Sequence, residues 1–214
     1  MRARARKSIC RAGVWFVDIP RTSSTSVKAE LGRLFGGEYR KSVEREAGVK
    51  RKKYFHDHTT AGRMKHALRE SVWQELFTFS VVRNPWDRFL SLYRFRIALG
   101  DLPAEIPFTQ YAAMLKDVTY RRNHSPFAEW HYHMSMCDFL MDELDQVLVN
   151  RVYRMEDREE MIVDLNNRFG LELREVHKEK LSDGRSYREF YDDETAEMVG
   201  EYFRDDIANF SYEF

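Results

Sequence analysis

Two short segments carry the residue types from which an anion site can be built. The first is Pro20-Arg21-Thr22-Ser23-Ser24-Thr25-Ser26. It joins an apolar run to an amphipathic segment, the pattern of a strand, a tight loop and a helix. Such a junction aims backbone N–H groups and the helix dipole at one spot, where a phosphate or sulfate is favoured. Five consecutive hydroxyl residues add short donors, and Arg21 adds a fixed positive charge. Plain helix capping by Ser24 or Thr25 would use the same residues. The second segment is Val82-Arg83-Asn84-Pro85-Trp86-Asp87-Arg88-Phe89-Leu90-Ser91-Leu92-Tyr93. Arg83 stands where an apolar run ends and Asn84-Pro85 opens a helix, again a position that favours an anion. Ser91, about two helical turns further on, is placed to offer a hydroxyl to the same group. The plainer reading is a capped helix with Asp87 and Arg88 as surface charges.

The elements that must position these residues follow from periodicity. Val14-Trp15-Phe16-Val17-Asp18-Ile19 is a short β-branched and aromatic run that stops at Pro20, the pattern of a buried strand. Val27, Leu31, Leu34 and Phe35 recur at helical spacing over Thr25 to Phe35, and Gly36-Gly37 ends that helix. Thr59 to Leu68 predicts a short helix, Leu76 to Val82 a second buried strand, and Trp86 to Leu99 a helix with Asn84 as N-cap. A helix is expected over Phe108 to Leu115, a third strand over Val147 to Tyr153, a helix from Glu156 to Phe169 ending at Gly170, and a closing helix from Glu194 to Phe210. Strands alternating with helices predict an α/β fold, three layers in the order α/β/α around a central parallel sheet.

The 214 residues suit one domain, expected to span 1–214, with a core large enough to need no staples. No apolar run is long enough for a membrane span. Thirty-five basic and 35 acidic side chains cancel, which argues against a general nucleic-acid binder. The zero hides a dipole. Residues 1–53 carry 15 Lys or Arg against five acids, while residues 189–214 carry nine acids and only Arg204. A basic N-terminal quarter suits an anionic ligand, although folding can remix such charges. Cys10 and Cys137 are too few for a disulfide framework or a four-ligand zinc site. A soluble protein of a reducing, cytoplasmic compartment is the expectation. Oligomeric state is not legible.

The comparison for the first loop is the P-loop of ATP and GTP enzymes, G-x-x-x-x-G-K-[ST]. This loop has no glycine and no Lys before its final Ser, which disfavours a nucleotide kinase although the layout is shared. The two segments together resemble the sulfotransferases that use 3′-phosphoadenosine 5′-phosphosulfate (PAPS). In that family P-[KR]-T-x-x-T-[ST] holds the 5′-phosphosulfate, and R-N-P-x-D-R-x-x-S-x-Y holds the 3′-phosphate. Residues 20–26 and 83–93 match in order and spacing. The chain is most similar to the Golgi-type carbohydrate branch and its compact bacterial relatives. Weaker likeness runs through Val152-Tyr153-Arg154-Met155-Glu156 to the C-terminal tail. The resemblance implies a P-loop-like sulfotransferase fold and sulfuryl transfer from PAPS, leaving PAP, to a hydroxyl acceptor such as a carbohydrate. It places Arg21, Thr22, Ser23, Ser24, Thr25 and Ser26 on the phosphosulfate, Arg83 and Ser91 on the 3′-phosphate, and Arg185, with Lys180 and Ser182, in a late loop that closes over the nucleotide. Arg21 stands where the family usually has Lys. It keeps the charge but does not readily give up a proton, so charge stabilisation replaces proton donation. Ser23 and Ser24 replace the usual loop glycines.

Sulfuryl transfer, like phosphoryl transfer, is mainly positioning and electrostatics, and the lower charge of a sulfonate requires no metal. His56-Asp57-His58 is a poor tetrahedral metal site because its members are adjacent in one segment. The acceptor hydroxyl needs a base, and a histidine suits neutral pH. His58 comes first because His58-Thr59-Thr60-Ala61-Gly62 resembles the segment that carries the base in the carbohydrate branch; His56 and Asp57 follow. Glu30 matches the Glu base of other branches, Glu38 less well. His66 reads as a surface residue. His131 and His133 share a side if extended, and Phe127, Trp130 and Tyr132 either stack on a sugar or fill the core. A binding module that keeps the nucleotide pocket without chemistry is the alternative of a different class.

Overall fold

A computed structural model of the chain describes residues 13–35, 58–68, 70–116, 130–175 and 184–214. In chain order the elements are β1 (Val14–Val17), α1 (Ser24–Phe35), α2 (Ala61–Ala67), α3 (Glu70–Glu75), β2 (Phe77–Val82), α4 (Pro85–Ala98), α5 (Phe108–Ala113), α6 (Met136–Leu140), β3 (Arg151–Arg154), α7 (Arg158–Phe169), α8 (Asp193–Tyr202) and α9 (Arg204–Phe210). Short 3₁₀ turns lie at Met114–Lys116, Trp130–His133 and Tyr187–Phe190. The fold is α/β, with a three-stranded parallel sheet flanked by helices, as the alternation of elements requires. By contact the described residues form two compact units, one drawn from 1–19, 23–82 and 138–178, the other from 20–22, 83–137 and 179–214.

The first unit holds the sheet, in the order β1-β2-β3 with β2 in the middle. Val14 pairs with Phe77 and Val17 with Ser80; Phe79 pairs with Arg151 and Val82 with Arg154. Every residue of β1 is buried, which is why its sequence is unbroken by polar positions. Phe16 and Phe79 meet with centroids 5.1 Å apart, and Ser80 Oγ donates to the Val17 carbonyl at 2.8 Å, satisfying a polar atom inside the sheet. The third strand is shorter than the apolar run 147–153 predicts. At Asn150 the pairing is mixed: its N donates to the Thr78 carbonyl at 2.9 Å, but its side-chain Oδ1 accepts from Thr78 N and Oγ1, while Val147 forms only an isolated antiparallel bridge with Met141. α2 starts two residues later than expected because Thr60 is its N-cap, accepting from Arg63 N. α7 ends at Gly170, whose φ of 58° lies in the left-handed region.

The second unit is built on α4. Asn84 caps it by accepting from Trp86 N and Asp87 N, and Pro85 occupies the first turn. Phe89, Leu90, Tyr111, Val199 and Phe203 pack into one core, with the Phe89 and Tyr111 rings stacked 5.2 Å apart. The closing helix is two helices, not one. Phe203 breaks the helical torsions at φ −107° and ψ 25° while its ring is buried. The offset turns Asp206 inward, fully buried, where its two carboxylate oxygens accept from Met136 N and Cys137 N at 2.8 and 2.9 Å. Those are orphan N–H groups at the start of α6. Cys137 is a buried free thiol.

Candidate active site

Arg21 is held from α4. Arg21 Nε and Nη2 both donate to Ser91 Oγ at 3.1 Å, and the Arg21 guanidinium lies 4.4 Å from the Phe95 ring centroid. Arg83 Nη1 donates to the Arg21 carbonyl at 3.1 Å, and Arg83 Nε donates to Asp87 at 2.8 Å, one turn along the helix. Arg21, Arg83 and Ser91, taken from two separate motifs, therefore form one cluster.

Arg88 is the residue whose plain reading fails. It is not a surface charge but only 2% exposed. Its Nε donates to the Pro20 carbonyl at 3.1 Å and its Nη1 to the Met134 carbonyl at 2.9 Å, with Asp206 3.9 Å away. Buried guanidinium on main-chain carbonyls fixes the residue just ahead of Arg21. No local signal in the sequence marks it, because its partners lie 68 and 46 positions away.

The loop backbone is unusual. Arg21 and Ser23 both adopt φ of 65°, the left-handed region that non-glycine residues rarely enter. Ser23 keeps the torsion a glycine would hold there, at a cost of about 1–3 kcal/mol for such a residue. Ser26 N and Val27 N both donate to the Ser23 carbonyl, which starts α1. Thr22 and Ser24 are buried, Thr25 is exposed, and Ser23 and Ser26 are half-buried. Ser23 and Ser26 also border a narrow apolar pocket whose other lining includes Val27, Phe79, Arg158 and Arg174.

In the first unit His58 meets Asp18. His58 Nδ1 lies 3.2 Å from the Asp18 main-chain carbonyl and 3.2 Å from Asp18 Oδ1. Lys28 Nζ donates to Asp18 Oδ2 at 2.6 Å. Burial pushes the Asp18 carboxyl up, but the hydrogen bond and charge of His58 and the charge of Lys28 outweigh it and hold the group well below the usual carboxylate range. His58 has φ of 63°, a third residue with a left-handed torsion among the site candidates.

The other sequence candidates are placed as follows. Glu30 is tied up: Arg33 donates to Oε2 at 2.8 Å from Nη2, and Arg174 N donates to the same oxygen at 3.1 Å. The Arg33 hydrogen bonds hold its carboxyl below the ordinary value against the effect of burial, which makes it a weak base. His66 is exposed. His131 and His133 are not extended but lie in a 3₁₀ turn, so they do not share a side. His133 is buried with Nε2 2.8 Å from the Tyr111 hydroxyl. Tyr132 packs on Phe95 at 5.7 Å. Arg185 stacks over Phe190 with 4.3 Å to the ring centroid, and Arg94 lies 4.6 Å from the same ring. Cys10, Glu38, the basic stretch 40–53, His56, Asp57, Phe127, Lys180 and Ser182 fall outside the described residues, as does the Trp130 side chain.

Among the described residues no three or more His, Cys, Asp or Glu side chains are grouped to hold a metal, and no helix is long and apolar enough to cross a membrane. A family model described as "Sulfotransferase family" matches residues 11–213, and the chain belongs to that family. Its general chemistry is therefore sulfuryl transfer. No curated protein and no solved structure gives a significant match.

Proposed function

We propose that the chain is one sulfotransferase domain over residues 1–214 that transfers a sulfuryl group from PAPS to a hydroxyl, with a carbohydrate as the acceptor class. The observation that carries this reading is the junction of the two motifs: Arg21 on Ser91, and Arg83 on the Arg21 carbonyl. Two guanidinium groups and a hydroxyl gathered at Arg21, whose own torsion is left-handed, suit a polyanion. The donor set therefore fits PAPS, with PAP as the product.

Bound PAPS supplies an activated sulfuryl group whose bridge oxygen gains negative charge as it leaves. Arg21 stabilises that charge, and its planar fork orients the sulfonate; being permanently protonated, it donates hydrogen bonds and no proton. Thr22 and Ser24, with buried side chains, act through their backbone N–H groups, whereas Ser23, Thr25 and Ser26 also offer hydroxyls. Arg83 and Ser91 bind the 3′-phosphate, and Arg185 adds a further cation to the nucleotide. His58 serves as the general base for the acceptor hydroxyl. No metal is assigned a role, because arginines and N–H dipoles neutralise the charge.

Transfer of labelled sulfate from PAPS to a panel of neutral and acidic oligosaccharides tests this reading. Label should appear in an oligosaccharide, and His58→Ala should abolish transfer while keeping PAP affinity. A wild-type chain that binds PAP but labels no hydroxyl acceptor of any class contradicts the catalytic reading.

A further inference from the structure

Asp18 lies in the residues after β1 and draws no attention in the sequence. In the fold it meets His58 forty positions away and Lys28 ten positions away. The contacts define a direction. A main-chain carbonyl can only accept, so the His58 nitrogen 3.2 Å from the Asp18 carbonyl must carry a hydrogen. Oδ1 of the same residue lies at the same distance from Nδ1 and is also an acceptor when ionised. The carbonyl selects one tautomer, with hydrogen on Nδ1 and the lone pair on Nε2, and the Oδ1 charge 3.2 Å away favours it without accepting a hydrogen bond from that nitrogen. Lys28 takes the other carboxylate oxygen and favours its ionised form. Asp18 is 4% exposed and the His58 side chain 12%, so the contact is shielded from water while the ring keeps an accessible edge.

We infer that Asp18 is a positioning residue for His58, holding Nδ1–H so that Nε2 faces the acceptor hydroxyl as base, with Lys28 fixing the carboxylate in turn. The inference rests on the proposed role of His58. In the step, Nε2 takes the hydroxyl proton as the acceptor oxygen forms its bond to sulfur and the bridge S–O bond breaks, its electron pair leaving on PAP. The resulting imidazolium keeps its Nδ1–H on Asp18, whose negative charge stabilises it. Asp18 takes no proton itself. The left-handed torsion of His58 agrees with a ring held in place by tertiary contacts rather than by local preference.

Ring-nitrogen NMR of the full chain, with His58→Ala used for assignment, reads this directly. Neutral His58 is expected as the Nδ1–H tautomer. In Asp18→Asn a measurable Nε2–H fraction should appear, PAP affinity should stay within twofold, and kcat in PAPS turnover with the oligosaccharide panel should fall ten- to a hundredfold at unchanged KM for PAPS. Wild-type His58 found as Nε2–H overturns the inference, and this measurement needs no Asp18 variant. Wild-type tautomer and kcat in Asp18→Asn overturn it as well. If either result comes with a His58→Ala chain that is inactive, the base role stands and only the positioning role falls. Unchanged turnover in His58→Ala overturns both.

Discussion

Arg21 and Ser91, separated by 70 positions, are joined by two hydrogen bonds of 3.1 Å from Nε and Nη2 to one hydroxyl oxygen. A cation from the first motif is thus oriented by a helix from the second. Removing the charge should cost what loss of a main oxyanion donor costs, so Arg21→Ala should lower PAPS turnover about 10²–10³-fold. Arg21→Lys should retain more activity because the charge survives. Ser91→Ala should leave Arg21 charged but less well aimed, giving a smaller loss in kcat and weaker PAP binding by calorimetry. Equal turnover in all three variants would contradict the role of the cluster.

Arg83 is 15% exposed and donates to Asp87 and to the Arg21 carbonyl, so an anion bound there meets a preset guanidinium. A charge-assisted hydrogen bond contributes about 1.5–3 kcal/mol, so Arg83→Ala should weaken PAP binding roughly ten- to a hundredfold. Arg204→Ala, at an exposed ion pair with Glu201, should leave it unchanged. Calorimetric titration with PAP compares the two.

Asp206 should matter for stability rather than catalysis. Its oxygens accept from Met136 N and Cys137 N, and buried Arg88 lies 3.9 Å away. Asp206→Ala leaves two buried N–H groups and a guanidinium without that carboxylate, a change that costs about 3–5 kcal/mol where a buried pair is broken. Urea denaturation should show the midpoint fall by that amount divided by the m-value.

The sequence carried the two motifs, the first two strands and the Asn84-Pro85 start of α4, because each depends on neighbours in the chain. It did not reveal what depends on distant partners. Arg88 looks like any helical arginine until the Pro20 carbonyl comes within 3.1 Å. Asp206 sits in an acidic tail that reads as solvated surface, yet it is fully buried. Asn150 shortens β3 because Thr78 lies opposite, 72 positions away, and Phe203 splits the last helix because a core exists to receive its ring. His58 was legible as a candidate base, but its contact with Asp18 was not, because Asp18 lies 40 positions away and reads only as the end of an apolar run.

Acid should destabilise the chain partly through Asp18. Its folded carboxyl is held below the ordinary 3.8, so it contributes stability that is fully present above that value and lost as pH falls below it. Asp18→Asn should therefore show a smaller drop in denaturation midpoint between pH 5 and pH 2 than the unaltered chain. Parallel slopes would contradict the assigned pairing with His58 and Lys28.

The central claim is a pocket for PAPS formed by Arg21, Arg83 and Ser91, and thermal denaturation with PAP tests it most directly, with ATP and Mg²⁺ as the comparison. At 100 times its dissociation constant PAP should stabilise the chain by about 2.7 kcal/mol, with a clear rise in Tm that Arg83→Ala at the same PAP concentration reduces by half or more. ATP and Mg²⁺ at the same concentration should give a much smaller rise. No shift with PAP, or a larger shift with ATP and Mg²⁺, would contradict the account.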